Sequence, residues 1–149
     1  MYFAYGMNTN RAGMARRCPE AIELGKAFGQ NMDLVFRGPA DIVPKKGSTV
    51  PGVLWLISPS DEQALDRLEG FPVMYLKKRV RVVCPALTPR EISVMAYAMV
   101  PGSRTVSPPS DGYLSCISEG YDNFSHGPDE KDFLFQKARD AETVAWSGF

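Results

Sequence analysis

Met1-Tyr2-Phe3-Ala4-Tyr5-Gly6-Met7-Asn8 opens the chain as an aromatic-rich apolar run that breaks at a glycine and then at an asparagine. Its bulky side chains predict a buried strand, Gly6 supplies a backbone position without a Cβ, and Asn8 is a good N-cap for a helix over 9–17. A strand, a tight turn and a helix start point successive backbone N–H groups outward at the positive end of a helix. That is a seat for a carboxylate or phosphate that needs no basic side chain. Taken alone, most such junctions are only turns, because an isolated glycine motif is a weak signal.

Working outward from this stretch, the 149 residues predict one domain over 1–149 with one core. Seventeen basic residues balance seventeen acidic ones, so no net field draws the chain to nucleic acid or to an anionic membrane, and a compact, roughly neutral partner is favoured. Cys18, Cys84 and Cys116 are spaced like neither a zinc knuckle nor a disulfide framework and read as reduced thiols of a cytoplasmic protein. No window reaches the length of an apolar membrane span, and the N-terminus lacks the basic region of a signal peptide. Both a monomer and a homodimer are compatible with the sequence.

Beyond the first helix, Gly25 and Gly29 punctuate 21–31, and 32–37 then reads as a short strand. Segments 40–43 and 50–57 predict two strands joined by the polar loop Pro44-Lys45-Lys46-Gly47-Ser48, the second deep in the sheet. Ser60 and Gln63 stand at capping-box spacing at the start of a helix that stops at Gly70, placing Glu69 in its last turn. Segments 77–83 and 92–99 predict a hairpin, 113–120 a helix after a proline-rich loop, and Pro128 the start of a last helix. Trp146 and Phe149 are expected to dock on the body. About six strands, mostly consecutive in the middle, and four helices, some at each end, argue an α+β fold whose sheet curls into a barrel.

The residue inventory then limits the chemistry. The single histidine, His126, lies near a predicted loop and reads as a surface residue, and no triad elbow, zinc-protease or P-loop motif is present. What remains is chemistry without metal or cofactor. Glu69 is the ionisable group to single out. The macrodipole disfavours an anion in a last helical turn, and the flanking Leu65, Leu68, Phe71, Val73 and Met74 are apolar. Both effects raise its pKa, as a proton-shuttling carboxyl requires, while a solvated helix-end glutamate is the plainer reading. Tyr75 behind it is either a core aromatic or a pocket wall.

Three blocks now stand in order: Tyr2-Phe3-Ala4-Tyr5-Gly6-Met7-Asn8, Leu65-Asp66-x-x-Glu69-Gly70 followed by Tyr75, and Pro108-Pro109-Ser110-x-x-Tyr113 followed by Gly120. Together they resemble the γ-glutamylcyclotransferase family over nearly the whole chain. The resemblance implies a small mixed-sheet barrel flanked by helices and a cofactor-independent enzyme that releases 5-oxoproline from a γ-glutamyl amino acid or amine. By position it implies Glu69 as the catalytic glutamate, Tyr2, Phe3, Ala4, Tyr5, Gly6 and Met7 as the substrate loop, and Tyr113 as a substrate-contacting tyrosine. The family's serine before asparagine is Met7 here, which removes a hydroxyl while leaving a backbone N–H. That departure also leaves open a non-catalytic small-molecule binding protein on the same scaffold.

Overall fold

Two long strands, β2 (Ile22–Phe36) and β3 (Ala40–Leu56), form the antiparallel hairpin on which the rest of the sheet is assembled. The computed structural model describes residues 1–147, in the order β1 (Tyr2–Ala4), a 3₁₀ turn (Met7–Thr9), α1 (Arg11–Arg17), β2, β3, α2 (Pro59–Glu69), β4 (Tyr75–Val83), β5 (Glu91–Met99), α3 (Asp111–Asn123) and α4 (Pro128–Ser147). The strands close into a barrel ordered β1-β3-β2-β4-β5, antiparallel throughout except for the parallel contact of Tyr2 with Met95. This is the expected α+β barrel with flanking helices.

The strand count differs from expectation, and the reason is local. Gly25, at φ 132°, lies at one register shift of the β2–β3 pairing and Asn31, at φ 55°, at the other. Left-handed residues at such sites make bulges that bend a strand without ending it. The polar segment Lys45-Lys46-Gly47-Ser48 is likewise taken up inside β3, where the Gly47 N–H donates to Asn31 Oδ1 at 2.9 Å. The described residues therefore hold five strands, because the expected strands 40–43 and 50–57 are one strand, β3, while the expected 32–37 is the end of the longer β2.

Both predicted caps move. Residues 7–9 tighten into the 3₁₀ turn, closed by the N–H groups of Thr9 and Asn10 on the Gly6 and Met7 carbonyls at 3.1 Å each, so Asn8 is inside the structure and Asn10 caps α1. Asn10 Oδ1 accepts from Gly13 N at 3.1 Å, and its Nδ2 donates to the Cys116 carbonyl at 3.0 Å and to Glu119 Oε2 at 3.2 Å. Asn10→Ala is expected to cost about 1–2 kcal/mol in urea unfolding, since it removes a cap and the tie to α3 together. In α2 the capping box is Ser58 with Asp61, with Pro59 in the first turn, in place of Ser60 with Gln63.

Residues alternate along β1, so Phe3 packs into one apolar cluster with Leu34, Phe36, Leu54, Ile117 and Tyr121, while Tyr2 and Ala4 face a second with Met14, Trp55, Leu65 and Tyr97. α3 and α4 cover the first cluster, and α1 and α2 the second. His126 is a correction: it is buried in the link between α3 and α4, with Nε2 2.8 Å from the Gly52 carbonyl and its ring edge-on to Phe28. Burial lowers its pKa, which keeps the ring neutral, and it does not line the cavity described below. Cys18, Cys84 and Cys116 are free thiols. No described helix is long and apolar enough to cross a membrane. The expectation for Trp146 and Phe149 falls outside the described residues and side chains.

Candidate active site

The chain leaves β1 at Ala4 and turns over a cavity of about 320 Å³ that opens between this turn, the end of α2, the start of β3 and α3. Close approach sets the turn. A Cβ on Gly6 would stand 3.0 Å from the Tyr113 hydroxyl and 3.5 Å from the Ala40 Cβ, so a bare backbone is what brings the three segments together. Thr9 and Asn10 supply the N–H groups that close the 3₁₀ turn, and those of Gly6, Met7 and Asn8 are not used within it. These groups lie on a 3₁₀ turn and not on the first turn of an α-helix, and the Met7 N–H is directed at the Tyr113 hydroxyl.

Five tyrosines line the cavity, and their hydrogen bonds sort them into two groups. Tyr5 donates to the Tyr97 carbonyl at 2.5 Å, Tyr75 to the Ala40 carbonyl at 2.8 Å, and Tyr97 to Asp66 Oδ1 at 2.6 Å, so these three protons are committed. Tyr2 accepts from Asn8 Nδ2 at 3.1 Å, and Tyr113 accepts from the Ala40 N–H at 3.0 Å. Each of these two keeps its own proton to donate. Burial raises the pKa of the Tyr113 phenol to about 12, although the Ala40 and Met7 backbone N–H groups pull it down, so at neutral pH it is a donor and not a base.

Glu69 is placed by the end of α2. Gly70 adopts a left-handed conformation at φ 64° and ψ 36°, and the Phe71 N–H returns to the Asp66 carbonyl at 2.9 Å, which stops the helix and leaves Glu69 in its last turn facing the cavity. One turn earlier, Asp66 is committed to the Tyr97 hydroxyl and to Lys77 Nζ at 3.0 Å. Glu69 has no such donor among the described residues. Burial of this uncompensated carboxyl raises its pKa from 4.5 to about 7, against the opposing pull of the Arg17 guanidinium. A carboxyl poised near neutrality can both take and return a proton.

Of the residues singled out in the sequence, Tyr2, Tyr5, Gly6, Met7, Glu69 and Tyr113 line this one cavity. Phe3 and Ala4 do not: both are buried in the two apolar clusters and serve to fix the strand that presents the turn. Tyr75 is both core and pocket wall, buried in the second cluster while it lines the cavity. Asn8, Arg67, Tyr97 and Arg104 also line the cavity and were not singled out as site residues. Tyr97 was findable, as an inward position of β5, whereas Arg104 sits in an irregular loop with no periodicity to place it. No cluster of metal-ligating side chains occurs among the described residues.

Comparison with known proteins finds a matching family and similar folds. A family model described as gamma-glutamyl cyclotransferase, AIG2-like, matches residues 2–116. The human protein gamma-glutamylcyclotransferase is 29% identical, with 80% of this chain aligned to 69% of that one. A solved gamma-glutamyl cyclotransferase structure superposes with a TM-score of 0.80 at 27% identity, covering 89% of this chain and 84% of that one. A crystal structure of YkqA from Bacillus subtilis shares the fold, with a TM-score of 0.75 at 22% identity over 93% of this chain and 53% of that one.

Proposed function

This chain belongs to the gamma-glutamyl cyclotransferase, AIG2-like family, and from that premise we propose that it converts γ-glutamyl compounds to 5-oxoproline with release of the amine. The observation that carries the proposal is Glu69, an uncommitted carboxyl with a pKa of about 7 in the same cavity as the Gly6–Asn8 backbone turn.

In a γ-glutamyl amide the nucleophile is the substrate's own α-amine, which forms a bond to the δ-carbonyl carbon as the bond from that carbon to the leaving nitrogen breaks. The enzyme therefore supplies no nucleophile. Holding the two ends together is worth effective molarities on the order of 10⁵ M or more. Backbone N–H groups of the turn at Gly6 to Asn8 hold the α-carboxylate, and the Tyr2 and Tyr113 hydroxyls are donors for the substrate and for the oxyanion on the δ-carbonyl oxygen.

The proton count assigns Glu69 its role. The α-ammonium carries three protons and the lactam nitrogen keeps one. The other two end on the leaving nitrogen, which departs as an ammonium. Glu69 takes each as a carboxylate and returns it as a carboxylic acid, so the cycle balances without a cofactor.

The test is a mass-spectrometric assay of 5-oxoproline and free amine from a panel of γ-glutamyl amino acids and amines. Equimolar release of both products supports the proposal. Binding without turnover across the whole panel would instead mark a binding protein. Tyr113→Phe is expected to lower kcat/KM about 10-fold, the worth of one hydrogen bond to a charged or developing-charge group, with a small loss of stability from the released Ala40 N–H.

A further inference from the structure

Asn8, buried under the turn, is held at both ends of its side chain and at its carbonyl. Oδ1 accepts from Arg17 Nη1 at 3.1 Å, Nδ2 donates to the Tyr2 hydroxyl oxygen at 3.1 Å, and the carbonyl accepts from Trp55 Nε1 at 3.0 Å. The two ends of a side-chain amide have the same shape, so its partners decide which way round it lies. Tyr2 cannot decide, because a hydroxyl both donates and accepts, whereas a guanidinium only donates. Arg17 therefore keeps Oδ1 on its own side, turns Nδ2 toward Tyr2 and makes the phenol oxygen an acceptor. The phenol proton, which burial and the nearby Glu69 keep on that oxygen, is left for the cavity that Tyr2 lines.

The chain keeps room for this guanidinium. Gly13 is buried in α1, one turn before Arg17, at a place where glycine weakens a helix relative to alanine. A Cβ there would stand 2.6 Å from Arg17 Nη1, so the bare backbone lets the guanidinium lie over the helix and reach Asn8. Arg17 itself is half-buried and does not line the cavity.

We propose that Arg17 is a positioning residue that acts through the Asn8 amide to aim the Tyr2 hydroxyl proton into the cavity. What that proton meets there rests on the cyclotransferase reading; the wiring does not. Without the guanidinium the amide is free to turn over, Oδ1 accepts the Tyr2 proton, and the cavity loses a donor. Water at the half-exposed Arg17 position then serves the other end of the amide.

Release of 5-oxoproline from γ-glutamylalanine is to be measured for the wild type, Arg17→Met, Gly13→Ala, Tyr2→Phe and the Arg17→Met/Tyr2→Phe double variant. Arg17 also draws the Glu69 pKa down, so the comparison is made on the plateau at about pH 9, where ionisation of Glu69 no longer limits the rate. Arg17→Met and Tyr2→Phe are each expected to lower kcat/KM about 10-fold. The double variant is expected to lie within about 3-fold of Tyr2→Phe, since the arginine then has nothing left to aim. Gly13→Ala retains the charge and displaces only the flexible tip of Arg17, so it is expected to fold and to follow Arg17→Met. A second readout needs no turnover. In isotope-labelled wild type the Asn8 Nδ2 protons are expected to show nuclear Overhauser contacts with the Tyr2 ring, and these weaken in Arg17→Met and in Gly13→Ala. Full additivity of Arg17→Met and Tyr2→Phe, or an Asn8–Tyr2 contact that survives undiminished in either Arg17→Met or Gly13→Ala, overturns the proposal. If the amide turns over in these variants while even the wild type cyclises no γ-glutamyl compound, the Arg17 assignment stands and the cyclisation reading falls.

Discussion

Glu69→Gln is expected to lower 5-oxoproline release by about 10²- to 10⁴-fold, the usual contribution of a positioned acid–base group, in a protein that still folds. The amide keeps the shape of the carboxyl and cannot carry a proton between the α-amine and the leaving nitrogen. Glu69 accepts no hydrogen bond from the described residues, so its replacement strands no donor, and substrate affinity is expected to fall far less than kcat. Unchanged turnover in a folded variant removes Glu69 from the mechanism.

The pH dependence follows from the same group. With a free-enzyme pKa of about 7, the carboxylate needed as base accumulates as pH rises, so kcat/KM climbs to a plateau above about pH 7, and this limb disappears in Glu69→Gln. Stability runs the other way. A folded-state pKa raised above the unfolded 4.5 means that the native protein holds the proton more tightly, so its stability relative to the unfolded chain declines as pH rises from about 4.5 through about 7. Glu69→Gln therefore gains urea stability over the wild type at pH 8 relative to pH 5. A protein whose activity and stability respond to pH in opposite directions through one residue is using that residue against its own packing.

Gly120→Ala is the second change with a large expected effect, and its sign is diagnostic. On helix propensity alone, an alanine within α3 would stabilise by about 1 kcal/mol. A Cβ at Gly120, however, would overlap Thr9 Oγ1 and stand 2.6 Å from the Thr9 carbonyl carbon and 2.8 Å from the Asn10 nitrogen. Backbone atoms cannot rotate away, so overpacking wins and the net loss is expected at about 1–3 kcal/mol in denaturant unfolding. The clash falls on the residues that follow Met7 and Asn8, so kcat/KM should also drop under conditions where the variant remains folded. Gly112→Ala is the control, because a Cβ there meets nothing within 4 Å. It is expected to be neutral or stabilising, and equal behaviour of the two variants would remove this account of Gly120.

Gly120 also shows what a sequence can and cannot disclose. As the end of a spaced block it was visible, but its reason, a helix seated on the backbone of the 3₁₀ turn, is a contact across more than a hundred residues. Elements set by local rules were legible: the β4–β5 hairpin from its alternation, the left-handed stop at Gly70, the last helix from Pro128. Misread features had a tertiary determinant. Gly25 and Gly29 looked like breaks because a bulge and a turn have the same local composition, and only the partner strand shows that β2 runs through both. His126 looked exposed because its acceptor is a carbonyl on β3. In the cavity, Glu69 was marked by its position at a helix end, while Arg67 and Arg104 carry no local mark, since what distinguishes them is that the fold brings both to the cavity.

The main chain of Ala40 is held at both of its polar groups, its carbonyl by Tyr75 and its N–H by Tyr113, and the groups opposite are main-chain atoms of the turn at Gly6 to Asn8. Much of the polar wiring of the cavity is therefore written in atoms that every residue except proline possesses. Mutation at positions such as Met7 can remodel the shape of the chamber while its frame of donors and acceptors is inherited intact. Such a site can explore new leaving groups by side-chain drift alone, and a motif defined by side chains will under-report how much of the machinery a divergent member has kept.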